Sequence, residues 1–322
     1  MFFKLFTILF YFVLSGGLQC SYAGGVTGGA MLKFYPSPRV NSMGESGVSL
    51  SGDYSASDLN PAILGTVEKR NFSALFYNSF LDSNVGYLGS SLKIGPGSLG
   101  IGVLGYFGGM ITIDDSSGRH EGLHEQNFQT QKDIIYSSGY GFRIITGVYA
   151  GWRLKYYTSK LLESYRASSF SGDGGVLVKT HFFKTGHKNV YTRLFSPGIQ
   201  VGGAVLNLGQ GVAYTSGADT DPLPVLFKGG ASYPVRFNDE HASLISLDIT
   251  YEPECESVRG NVGLEYSHSE IIFFRAGYRL NYEIKNFTWG IGLKYNRFSL
   301  DYGMGIVGAI NSEHSVMAAV EF

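Results

Sequence analysis

From residue 71 to the C-terminus, apolar side chains alternate with small or polar ones in runs of roughly ten residues separated by turns. The last third shows it best. Phe287, Trp289, Ile291, Leu293 and Tyr295 fall on one face, and Thr288, Gly290, Gly292, Lys294 and Asn296 on the other. Next, Phe298, Leu300, Tyr302, Met304 and Ile306 alternate with Ser299, Asp301, Gly303 and Gly305. Val316, Ala318, Val320 and Phe322 oppose Ser315, Met317, Ala319 and Glu321, while Ile245, Leu247, Ile249 and Tyr251 oppose Ser246, Asp248 and Thr250. A period of two places successive side chains on opposite faces of a strand. A soluble sandwich would turn its large apolar residues inward and its charges outward. Here the non-apolar face is glycine-rich with isolated charges, and aromatics sit at segment ends, which favours lipid outside and a crowded or polar lumen inside.

The pattern predicts about fourteen antiparallel strands closing a transmembrane β-barrel, an even number as single-chain bacterial barrels require. Their centres fall near residues 76, 89, 103, 137, 151, 177, 202, 229, 247, 263, 275, 291, 302 and 318. Tight turns at Gly95-Pro96-Gly97, near Ile144, at Ser269-Glu270 and at Asn296-Arg297 fall on one side. Longer stretches at 110–130, 159–171 and 208–222 fall on the other, and 183–195 is long on the short-turn side.

Residues 24–70 lack alternation and carry Gly24, Gly25, Gly28, Gly29, Pro36, Pro38, Gly44, Gly47 and Gly52, so a compact irregular segment is expected there. Residues 1–23 read as a signal peptide: Lys4, an apolar stretch over 5–14, then Gly16, Gly17 and the small residues Ser21 and Ala23, with cleavage after Ala23. Lipidation at Cys20 is the alternative, disfavoured by Gln19. Cleavage would leave Cys255 as the only cysteine, without an internal disulfide or a cysteine metal cluster.

Composition agrees. Charged residues are 16% of the 322, against about 25% in average domains, with 45 Gly, 22 Tyr and 23 Phe. Past the N-terminus there is no apolar run of about 20 residues, which excludes helical spans. A net charge of -1 argues against nucleic acid as a partner.

Two motifs point elsewhere. His120-Glu121-Gly122-Leu123-His124 spells the zinc-protease HExxH, but Gly122 and the preceding Asp114-Asp115-Ser116-Ser117-Gly118 are loop material without an obvious third ligand. Gly100-Ile101-Gly102-Val103-Leu104-Gly105 matches GxGxxG without a following helix. No catalytic residue, resident metal or cofactor is therefore expected, and the chain reads as a non-enzyme. Glycines at Gly100, Gly102 and Gly105 would instead either kink the third strand into a lateral gate near Asn60-Pro61-Ala62 or pack against the irregular segment. Alternation turns Arg153, Lys155, Lys179, Lys228, Arg259, Arg275 and Arg279 toward the lumen. Internal pairing with Asp248, Glu265 or Asp301 is the favoured reading; the alternative is that Arg153, Lys228, Arg275 and Arg279 bind a ligand carboxylate.

The segment Ser42-Met43-Gly44-Glu45-Ser46-Gly47-Val48-Ser49-Leu50, then Gly52-Asp53-Tyr54-Ser55-Ala56 and Asn60-Pro61-Ala62, resembles the N-terminal signature of FadL-type and PorV/PorQ-type outer-membrane proteins. Asn207-Leu208-Gly209, Leu223-Pro224 and Gly229-Gly230-Ala231-Ser232-Tyr233 resemble a PorV-like stretch, and uncharacterised spirochaete relatives of FadL look similar. The chain departs from the pattern at Glu45, Ser46 and Ile63. The resemblance implies a barrel over 71–322 with residues 24–70 as a hatch in the lumen, located in the outer membrane. It implies passive passage of fatty acids or other hydrophobic molecules with lateral release, or alternatively a partner role in secretion or surface attachment. Residues 316–322 resemble the C-terminal signal read by the barrel-assembly machinery. Membrane lipids, that machinery and hydrophobic small molecules are the expected partners.

Overall fold

The computed structural model describes residues 27–78, 83–114, 125–162, 164–180, 198–214, 220–282, 286–307 and 311–322. The expected leader, the HExxH histidines and the long stretch expected at 183–195 lie outside them. The chain forms β1 (Asn71–Asn78), β2 (Asn84–Ile94), β3 (Gly97–Phe107), β4 (Met110–Asp114), β5 (Glu125–Gln129) and β6 (Gln131–Ile145). It continues through β7 (Val148–Leu161), β8 (Tyr165–Lys179), β9 (Gln200–Gly209), β10 (Leu226–Arg236) and β11 (His241–Glu252). The last strands are β12 (Ser257–His268), β13 (Ile272–Leu280), β14 (Phe287–Tyr295), β15 (Phe298–Val307) and β16 (Asn311–Glu321).

Fourteen of these strands close an antiparallel barrel in chain order, with β3 paired to β6 and the seam made by β1 against β16. Closure leaves no bare edge, as the hydrocarbon interior of a bilayer demands. Each expected strand centre lies within a barrel strand. Two loop expectations need correction. The stretch 110–130 carries the separate hairpin β4–β5, and 159–171 is mostly the ends of β7 and β8 joined across 162–164. Ser159, Lys160 and Arg166 look like loop residues because the strands run on at this end past the apolar band. The turn expected near Ile144 falls at Thr146-Gly147, after a bulge between Arg143 and Ile145; Gly147 takes φ +82°, which only glycine adopts without strain.

The alternation becomes two faces. Trp152, Leu154, Ile245, Leu264, Phe274, Leu293, Leu300 and Val316 are exposed on the outside, while Arg153, Lys155, Asp248, Glu265, Arg275 and Thr288 are buried inside. Exposed Phe72, Tyr295 and Phe298 mark the end that holds the C-terminus; Phe76, Tyr165, Phe170 and Tyr251 mark the opposite end. An apolar belt between aromatic rims is how a barrel meets a bilayer. Arg153 and Leu154 are adjacent at mid-strand, yet only the inner position tolerates a cation. Leu154→Arg is expected to destabilise the folded barrel by about 2–4 kcal/mol. Urea unfolding from lipid vesicles measures it, and an unchanged midpoint would place Leu154 away from the hydrocarbon.

Residues 27–70 occupy the lumen. They form the 3-10 turns Ala30–Lys33, Tyr54–Asp58 and Pro61–Thr66 and one short helix, Pro38–Ser42, whose start is capped by Ser37. Val40, Met43, Val48, Ala56, Leu59, Ala62, Ile63 and Leu64 are fully buried among them.

Candidate functional site

Charges first fix how the lumenal segment is held. Between residues 27 and 66 it has five charged residues, Lys33, Arg39, Glu45, Asp53 and Asp58, and all five form ion pairs. Four reach the wall. Lys33 meets Glu252 at 3.0 Å, Glu45 meets Arg279 at 3.2 Å, and Asp58 pairs with Arg153, which also donates to Ser57 Oγ at 2.7 Å. Arg39 donates to both oxygens of Glu265, Nε to Oε2 at 2.7 Å and a terminal nitrogen to Oε1 at 2.6 Å, a two-pronged charge-assisted contact. Its other terminal nitrogen reaches Asp53 at 2.7 Å. Arg275 approaches Glu265 from the wall at 2.7 Å and continues to Asp301 at 2.5 Å. Burial pushes the Asp53 carboxyl up, but the Arg39 guanidinium and the Ser55 hydrogen bonds prevail and hold it below the usual carboxylate range. The stability that Asp53 contributes is therefore full at neutral pH and is lost as pH falls through that depressed value.

Backbone contacts fit the segment more closely still. Asp248 Oδ2 accepts from the backbone N–H of Gly47 (2.7 Å) and Val48 (2.9 Å). Asn60 caps the turn Pro61–Thr66 by accepting from Ala62 N, and its amide donates to the carbonyls of Val48 and Val176 at 2.8 and 2.9 Å. Asn60-Pro61-Ala62 thus rests on β6, β7 and β8, where Gly141, Gly151 and Gly175 leave no space for a Cβ. Gly100 makes room for Leu64, and Gly102 for Tyr87. Gly105 faces outward beside Phe107 and lies apart from the segment. β3 runs in unbroken register with β2 and β6 from Gly97 to Phe107, which favours the packing alternative over the kinked lateral gate: its inward glycines make space for side chains.

The structure brings Arg275 and Glu265 together, and Arg153 and Arg279 onto carboxylates of the segment. Lys155 pairs with Asp173 (2.8 Å), and Arg259 with Glu252. Lys228 differs: its ammonium donates to Tyr35 Oη at 3.1 Å and lies 4.5 Å from that ring's centroid, with no carboxylate in ion-pair range among the described residues. Lys179 sits half-buried at the end of β8 beside a cleft of about 660 Å³ floored by Gly65, Thr66 and Glu68.

Asn207 enters the sequence reading only as part of a resemblance, with no role assigned to it. It is fully buried with φ +62°, where β9 carries one more residue than β8 across a bulge. Its amide donates to the carbonyls of Leu32 and Pro224, its oxygen accepts from Lys155, and its N–H donates to Asp173, so segment, loop and wall meet there. The available signal was an Asn ahead of Leu-Gly in a strand, a residue type that tolerates the left-handed region.

The other half of the lumen carries an apolar cluster, interrupted by the buried carboxylates Asp133 and Glu313. Leu75 and Tyr77 of β1, Val85 and Tyr87 of β2, Leu104 of β3, Ile135 of β6, Tyr157 of β7 and Met317 of β16 form one buried cluster with Leu32, Val212 and Leu223. It lies in the half of the barrel away from the C-terminus, and Met31, Phe34 and Tyr214 pack onto it. A small cavity between this wall and residues 31–36 has about 20 Å³ of free space, room for one water. Among the described residues, the segment packs against both this wall and the charged one. What the arrangement offers is an apolar lining on one wall and a charged clamp on the other.

No family model and no curated protein matches the chain. Solved structures do. The Ralstonia pickettii toluene transporter TbuX aligns with a TM-score of 0.57 at 13% identity over 88% of this chain and 97% of that one. The Pseudomonas putida toluene transporter TodX gives 0.52 at 12% identity (88% and 96% covered), and the CymD monoaromatic hydrocarbon channel 0.52 at 11% (88% and 96%). At these identities the likeness concerns architecture, and it establishes that this chain has the barrel fold of those proteins.

Proposed function

We propose that the protein is an outer-membrane channel for small hydrophobic molecules, with residues 27–70 as a hatch that shifts to let them pass. The observation that carries this reading is the buried apolar cluster on the lumen side of β16, β1, β2, β3 and β6. A water-filled pore would line that wall with polar groups; an apolar wall lowers the cost of carrying a solute with little affinity for water. The sequence resemblance to FadL-type proteins and the shared fold with toluene and monoaromatic-hydrocarbon channels support the same substrate class. The turns at 95–96, 146–147, 237–240, 269–271 and 296–297 are short and share the end with the C-terminus, against one long connection at 180–199, which supports a periplasmic side there and an apolar wall toward the outside. Among Arg153, Lys228, Arg275 and Arg279, Lys228 is the best placed to meet a polar headgroup, because the other three already face carboxylates.

Leu104→Asp puts a charge on the apolar wall and is expected to cut uptake at least tenfold, since a charge in such surroundings costs several kcal/mol and about 1.4 kcal/mol is a factor of ten. Labelled oleate and toluene uptake in a host lacking its own transporter measures this, with correct folding checked by heat-modifiable migration. Uptake by the wild type no better than by the empty host would refute the transport reading.

A further inference from the structure

We propose that Glu240, His241 and His268 form a divalent transition-metal site on the outer wall, at the rim that holds the C-terminus. Residues 240 and 241 belong to the β10–β11 turn and to β11, residue 268 to the end of β12. Pairing of β11 with β12 sets His241 directly opposite His268, with ring centroids 4.9 Å apart. One ligand atom from each of the three residues lies within 4.8 Å of the others. Both histidines share the outward face of Ile245 and Leu264, four residues further along the strands, or about 13 Å past that pair. The cluster therefore stands at the membrane–water boundary and is independent of the lumen.

Three features prepare it. Tyr266 Oη is 2.6 Å from His241 Nδ1, which leaves Nε2 directed at Glu240, whose Oε2 is 4.0 Å away. A hydrogen bond at one ring nitrogen orients the other for a metal, the arrangement that tunes histidine ligands. The turn is held by Asn238 Oδ1, which accepts from the N–H groups of Glu240 and His241, and by Ser269 N–H donating to the Glu240 carbonyl. Arg236, the nearby cation, is occupied by Glu270 at 3.0 Å. Two imidazoles and one carboxylate suit zinc, nickel or copper better than calcium or magnesium, which favour oxygen ligands. The exposed Glu240 side chain has the freedom to close the remaining distance, and a fourth position stays open to water.

The test is calorimetric titration of ZnCl2 into the tag-free folded barrel in detergent, with thermal unfolding alongside. One zinc per chain with micromolar affinity is expected. His268→Asn and His241→Asn should each weaken it by about a hundredfold, and Tyr266→Phe and Glu240→Gln by about tenfold. Zinc should raise the unfolding temperature of the wild type and leave that of His268→Asn unchanged. Glu240→Gln, in an exposed turn, keeps the test decisive if a histidine variant fails to fold. His120→Asn/His124→Asn and His314→Asn should keep wild-type affinity. Absence of saturable binding, equal affinity in His268→Asn and Glu240→Gln, or loss of binding in the His120/His124 variant instead would overturn the proposal.

Discussion

Glu265→Leu should release the lumenal segment from the barrel wall while leaving the barrel itself closed. Glu265 is 6% exposed and accepts from two guanidinium groups, one on the segment and one on β13. Removing one partner of a buried ion pair costs about 3–5 kcal/mol, because the remaining charge keeps its desolvation penalty. Arg39 retains Asp53 and Arg275 retains Asp301, so the low end, about 3 kcal/mol, is expected. Wild-type protein should resist trypsin at Arg39, whereas the folded variant should be cut there. Equal protection in the two proteins would mean that this clamp does not hold the segment.

Gly277→Val should open the barrel to ions. A Cβ on Gly277 would fall 2.0 Å from the Gly44 nitrogen and 2.2 Å from the Met43 carbonyl carbon, a clash with backbone that no rotamer relieves. Gly44 cannot yield in place, since its φ is +67° and its own Cβ position abuts the backbone of Tyr278. Lifting this turn off β13 also breaks the hydrogen bonds that Thr288 makes with Gly44 N and Ser42 O and that Asn261 makes with Gly44 O, each worth about 1 kcal/mol. In planar bilayers the wild type should be nearly silent and Gly277→Val steadily conducting. Gly229→Val, at a site with open space around it, should stay as closed as the wild type. A folded but silent Gly277→Val barrel would count against residues 27–70 as the element that blocks the lumen.

Much of the wall was legible because its chemistry is local. A strand shows its two faces within its own residues, so Phe287 to Tyr295 or Ile245 to Tyr251 could be sorted into lipid and lumen sides without knowing their neighbours. The hairpin β4–β5 was not legible, since five-residue strands in a polar stretch leave too short a pattern. Partner choice in the lumen was only partly legible. Arg275 with Glu265 and Asp301 joins nearby strands, but Lys33 with Glu252 or Asp58 with Arg153 spans a long chain separation that no spacing encodes. The sparse charges of the irregular segment were nevertheless a signal: a buried charge needs a partner, and the wall supplies an opposite one for four of the five. Glycines at 141, 151, 202 and 277 read as generic barrel glycines until the segment's backbone is seen lying against them, and Gly175 until the side chains of Asn60 and Pro61 are.

Passage along the apolar wall is tested most directly by crystallography. The barrel would be soaked with a brominated alkylbenzene or a terminally brominated fatty acid, and the bromine located by its anomalous signal. A peak is expected against the apolar wall, among Tyr87, Leu104 and Ile135, with residues 31–36 displaced to admit it. Bromine found only among detergent on the outer surface, with residues 31–36 still packed on that wall, would contradict it.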